Sequence, residues 1–130
     1  RKPLITVAAE LVAAAHDLDR DEVTARLAAR EKLGSTGFGA GIAIPHAKLD
    51  GLDRPVGAFL RLSKAVAFGA VDHVPVDLVF VLLSPTDAGA EHLKVLARVS
   101  RTLRDKDFVA KLRGAGSSDA LYVLLAGDHG

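Results

Sequence analysis

At 130 residues, 49% apolar and 25% charged, the chain has the size and composition of one globular domain, over 1–130, able to bury a core. A net charge of +1 gives no global pull toward nucleic acid or an anionic membrane. With no cysteine there are no disulfides, thiol nucleophiles or thiolate metal sites, which fits a cytoplasmic protein.

The longest apolar run, 78–83, is far too short to cross a bilayer, and no secretory signal is visible at the N-terminus. Position 1 is not Met, so the chain is expected to begin inside a longer sequence. Leu4, Val7, Ala8, Leu11 and Ala15 recur at helical spacing and predict an opening helix that ends near His16. After a short connection at 17–19, Asp19 predicts the cap of a second helix, with Glu22 three residues on as the reciprocal partner of a capping box. Val23 and Leu27 form its apolar face, Arg30 and Lys32 suit the negative end of its dipole, and Gly34 stops it.

A glycine-rich stretch follows at 34–41 and runs into a short strand at 42–44. A turn region at 50–55 leads to a strand at 56–62, where Gly57 marks a bulge or a close approach. A short strand is expected at 66–68 and a turn at 71–73. The nearly unbroken apolar run 76–83 reads as a central strand covered on both faces. The 84–87 segment then opens a long helix to about Leu103, with Asp87 as N-cap and Leu93, Leu96, Ala97, Ser100 and Leu103 facing inward. Two shorter helices are expected, from Asp105 or Lys106 and from Ser118, before a loose polar tail at 127–130. Helices on either side of a run of strands predict an α/β fold, a three-layer α/β/α sandwich around a mixed sheet.

The chemistry concentrates around 34–46. Glycines at 34, 37, 39 and 41 let backbone N–H groups turn toward an anion, and Pro45 stiffens the approach to His46. The glycines match neither a P-loop, since no Gly-Lys-Ser/Thr follows, nor a dinucleotide fingerprint, since they open no helix. Taken alone, His46 also reads as an ordinary loop histidine. His16, His73 and His129 read as solvated, and Asp72, His73 and Asp77 make an incomplete metal shell, so no metal or other cofactor is expected. His92 falls in the first turn of the long helix, where the dipole keeps an imidazole neutral and favours an anion nearby. Its bland alternative is a partly exposed helix residue, and that of Arg30 is a helix-end charge in water.

At Gly41-Ile42-Ala43-Ile44-Pro45-His46 the chain resembles the enzyme IIA components of the bacterial phosphotransferase system, fructose/mannitol type, nearest the nitrogen-regulatory branch. The resemblance extends through Arg30-Glu31-Lys32-Leu33-Gly34-Ser35-Thr36-Gly37, Pro75-Val76-Asp77-Leu78-Val79-Phe80 and Glu91-His92-Leu93, and runs from about Leu4 to Leu125. It implies that His46 is the phosphorylated nucleophile, His92 the second active-site histidine and Arg30 the arginine beside them. Ser35, Thr36 and Gly37 then become phosphate-binding donors, with a mixed sheet between helices. The family begins with a further strand, whereas this chain starts at or inside the first helix.

The resemblance also implies phosphate donation by an HPr-like phosphocarrier protein and signalling by phosphorylation state to nitrogen-related regulatory targets. It implies neither nucleic-acid binding nor membrane insertion. Two alternatives stay open: a sugar-transport IIA handing phosphate to a IIB domain, and a non-phosphorylated regulatory binding domain of the same fold.

Overall fold

A computed structural model describes residues 3–34, 36–67 and 74–114. Expectations for Ser35, the 71–73 turn, the helix from Ser118 and the tail lie outside the described residues. Helix α1 spans Leu4–His16 and α2 Arg20–Lys32. α1 buries Ala8, Ala9, Val12 and Ala13, while Leu11 is 36% exposed and Ala15 is also at the surface. The expected stripe through Leu11 and Ala15 is therefore corrected. Small side chains take the inner face, which allows α1 to sit close to α2 and the sheet.

Asp17 ends α1 in a left-handed conformation, φ 55°, and both its N–H and that of Leu18 donate to the Ala13 carbonyl. Asp19 caps α2 as expected, its carboxylate accepting from the N–H groups of Asp21 at 2.9 Å and Glu22 at 3.2 Å.

The described strands are β1 Gly37–Gly39, β2 Ile42–Ala43, β3 His46–Leu49, β4 Val56–Val66 and β5 Val76–Pro85. They form one mixed sheet. β1 and β2 make an antiparallel pair, β2 and β3 both run parallel to β5, and β4 runs antiparallel to it. Several boundaries differ from expectation: β1 lies within the glycine-rich stretch, and β5 runs on to Pro85. The strands expected at 56–62 and from 66 are one strand, β4, whose register with β5 shifts between Arg61 and Val66. The chain after Pro45 is also a strand rather than a loop.

Along β5 the side chains alternate. Val79, Val81 and Leu83 join Ala43, Leu49, Val23 and Leu27 in the core beneath α1 and α2, leaving Leu78, Leu82 and Ser84 on the opposite face. Residues 42, 44, 46 and 48 share that second face.

Helix α3 covers Ala90–Arg104 and α4 Lys106–Gly114. Asp87 lies in the turn before α3 and is not its cap; the helix starts after Gly89, φ 52°, a backbone conformation that suits glycine. Leu93, expected inside, is 65% exposed and Ala97 is exposed, whereas Leu103 is buried. Asp105 caps α4 by accepting from Asp107 and Phe108 N–H. The chain groups into two compact units, residues 1–92 and 93–130, and the site described next lies in the first.

Candidate functional site

β2 and β3 are two pieces of one parallel strand. Every paired residue faces the one 36 positions later, from Ile42 with Leu78 to Leu49 with Pro85, so the register passes unchanged through Ile44 and Pro45. Pro45 is fully buried and its carbonyl accepts from Leu82 N–H at 2.9 Å, but the ring nitrogen has no proton to return. The ladder is interrupted there, and His46 is the first residue after the gap. Its Nδ1 lies 2.7 Å from the Ile44 carbonyl oxygen. A carbonyl can only accept, so Nδ1 carries the proton and Nε2 keeps the lone pair.

His92 meets His46 from the first turn of α3, with ring centroids 5.8 Å apart and planes tilted by 39°. It is only 8% exposed, and its Nδ1 lies 2.6 Å from the Oγ of fully buried Ser84. Burial pushes His46 below its ordinary value of 6.5. The Ile44 hydrogen bond opposes that shift, the Arg30 charge assists it and Glu31 opposes it. His92 is lowered by burial first, then by His46 and by Lys48. Two neutral imidazoles thus sit beside the Arg30 and Lys48 cations, with the Glu31 carboxylate partly offsetting them at His46, a setting that can hold an anion without protonating the nucleophile.

Arg30, in the last turn of α2, donates from Nη1 to the Gly34 carbonyl at 2.9 Å, tying the start of the glycine loop to the helix. Thr36 is buried. Its N–H lies 3.1 Å from Glu31 Oε1, and its hydroxyl also donates to that carboxylate. Both Thr36 donors are therefore engaged by Glu31 in the unphosphorylated chain. Gly37 pairs with Ala43 in the β1–β2 ladder, and Ser35 lies outside the described residues.

Of the other histidines, His16 is exposed but not simply solvated, because its Nε2 donates to the Gly57 carbonyl at 2.9 Å. Sequence reasoning passed over Ser84, Glu31 and Lys48. Only a β5 reading extended by one residue, with Ser84 and Lys48 aligned across the sheet, could have placed two of them.

A mixed α/β protein with a paired-histidine face, one ring on a strand and the other at a helix N-terminus, is the class that fold and site define. Comparison with known proteins narrows it. The family model of the phosphoenolpyruvate-dependent sugar phosphotransferase system, EIIA 2, matches residues 1–127, and the chain belongs to that family.

A nitrogen regulatory protein from Bradyrhizobium diazoefficiens is 53% identical over 97 residues, which is 75% of this chain and 63% of that protein. The chain thus spans less than two thirds of that relative's length. The crystal structure of nitrogen regulatory protein IIA-Ntr from Neisseria meningitidis superposes with a TM-score of 0.85 at 38% identity, over 94% of this chain and 84% of that one. A complex of enzyme IIAMTL and phosphorylated enzyme IIBMTL from Escherichia coli matches with a TM-score of 0.75 at 25% identity, over 95% and 85%. Among the described residues no helix is long and apolar enough to cross a membrane.

Proposed function

We propose that this chain is a cytoplasmic phosphocarrier of the regulatory kind, which takes a phosphoryl group onto Nε2 of His46 from an HPr-like phosphohistidine and signals through the presence of that group. The observation that carries the reading is the Nδ1–H bond from His46 to the Ile44 carbonyl, which leaves the other ring nitrogen as the only possible nucleophile. In the transfer, the Nε2 lone pair forms the new N–P bond as the donor's N–P bond breaks in line. The departing imidazole keeps that electron pair. The Nδ1 proton stays in place, held by Ile44, and no proton need be lost from the attacking nitrogen.

His92 and the Arg30 charge are the groups suited to stabilise the phosphoryl oxygens, with Ser35 and loop N–H groups as further donors. Thr36 and Gly37 also brace the loop, through Glu31 and through the β1–β2 pairing. The regulatory role rests on likeness to proteins named as nitrogen regulators. The sugar-transport reading, with a IIB domain as acceptor, is favoured by likeness to the IIAMTL–IIBMTL complex.

Incubation with phosphoenolpyruvate, enzyme I and an HPr-like carrier, followed by intact mass, tests the chemistry. One added phosphate that disappears in His46→Ala is expected, and no added phosphate would overturn the reading. Deletion in the source organism then separates the roles. Altered nitrogen-linked physiology with normal fructose and mannitol uptake supports the regulator, and loss of one uptake supports transport.

A further inference from the structure

Ser84, next to last in β5, lies on the same sheet face as His46 and is aligned with Lys48 across the sheet. The chain then turns through Gly89 and returns with His92, whose Nδ1 reaches the Ser84 hydroxyl at 2.6 Å. Both residues are buried, Ser84 completely. Two proton arrangements fit this distance. If the imidazole donated from Nδ1, the serine proton would need a second acceptor, and among the described residues Nδ1 is the one polar atom its hydroxyl meets. A buried hydroxyl without an acceptor is disfavoured, so the hydroxyl donates and Nδ1 accepts.

That choice fixes the other nitrogen. We propose that Ser84 is a positioning residue that holds His92 as the Nε2–H tautomer, making it a hydrogen-bond donor to the group that His46 carries. The two rings are then set oppositely by what each Nδ1 meets. A carbonyl forces His46 to offer a lone pair at Nε2, and a hydroxyl lets His92 offer a proton there. A lone pair facing phosphoryl oxygens would repel them, so the tautomer decides whether His92 assists transfer or hinders it. The consequence for transfer rests on the phosphocarrier reading above, whereas the tautomer does not.

Long-range ¹H–¹⁵N correlation on the full chain, labelled with ¹⁵N-histidine, reads both. In the unmodified protein His92 should show a bare Nδ1 and a protonated Nε2. Ser84→Ala should move that pattern toward tautomer averaging and slow phosphate arrival on His46 about 10-fold, a smaller loss than deleting a whole donor. Ser84→Thr, which keeps a hydroxyl, should restore both. A protonated Nδ1 in the unmodified protein overturns the assignment even if Ser84→Ala does not fold, and so does an unchanged pattern in Ser84→Ala. An altered tautomer with an unaltered rate overturns the link to transfer. If the unmodified protein accepts no phosphate, the phosphocarrier reading fails while the tautomer pattern still decides the role of Ser84.

Discussion

Along one edge of β5 runs β4, antiparallel and 11 residues long; along the other, β2 and β3 follow in parallel with a gap at Ile44 and Pro45. The first edge is closely fitted. A Cβ at Gly57 would stand 3.0 Å from the Val81 carbonyl oxygen and 3.2 Å from the Phe80 ring, so even one methyl group is crowded there. The second edge gives up regularity at the one residue that cannot donate, and the chain presents its histidine at that interruption. A proline in the ladder forfeits a hydrogen bond worth about 1 kcal/mol. In return, the backbone beside His46 is stiff and the Ile44 carbonyl is available to its ring. On the phosphocarrier reading proposed above, the fitted edge and the chemistry thus occupy opposite edges of one strand.

If that division holds, changes at the gap should remove chemistry and spare the fold. His46→Ala is expected to eliminate the added phosphate with little change in melting temperature, read by intact mass and calorimetry. His92→Ala should still accept phosphate, but up to about 10²–10³ more slowly, because it deletes a donor rather than the nucleophile. Arg30→Ala should resemble it, and the double variant should lose less than the product of the two if both hold the same group. Rapid-quench phosphorylation measures all three. Phosphate kept by His46→Ala and lost by His92→Ala would reverse the assignment of the two rings.

The converse holds for the apolar core and for the fitted edge. Leu27→Ala, beneath the sheet and only 1% exposed, should cost about 2–5 kcal/mol in denaturant unfolding while the folded fraction is phosphorylated normally. Gly57→Ala should cost less, about 1–3 kcal/mol, because Val81 oxygen belongs to the backbone and yields only by bending β4 away. A neutral result at Gly57 would show that the β4 edge has more slack than its spacing suggests.

Acid sharpens the comparison further. Both site histidines titrate below 6.5 in the folded protein, so the unfolded chain binds more protons as pH falls past 6.5. Stability contributed at the gap is therefore intact above 6.5. It declines below that value until the lowered folded values are reached, and substituting both rings should flatten this slope in unfolding curves taken across the window. Phosphate acceptance should persist to lower pH than an ordinary histidine allows.

The smallest expected effect is that of Pro45→Ala. The new N–H can close the gap for about 0.5–1.5 kcal/mol. The loosened unfolded chain takes back about 0.4–1 kcal/mol, and each of the two buried ring methylenes lost costs about 0.8 kcal/mol, so a small net loss of stability is expected. Amide exchange should show protection at position 45 and phosphorylation should slow. Equal transfer rates would mean that the gap itself does nothing for His46.

Much of the local structure was legible because its causes are local. Asp19 and Asp105 cap the helices that follow them through hydrogen bonds spanning two or three residues, and such bonds can be read from a short window of sequence. The apolar run of β5 declared a strand buried on both faces, and the glycines with Pro45 marked where His46 would be held. Family likeness, carried by short motifs, picked out Arg30 and His92 as its companions. Other features depended on partners distant in the chain. That 46–49 continues β2 in register was decided by pairing with residues 36 positions away. α1 turns alanines inward rather than Leu11 because a close neighbour favours small side chains over large ones. Glu31 takes both donors of Thr36, and Ser84 finds His92, through side-chain geometry that has no periodic signature. Propensity and capping act over one turn of chain and so are written in the sequence. Register, facing and proton placement arise only when remote segments exclude water together, and these the tertiary structure decided.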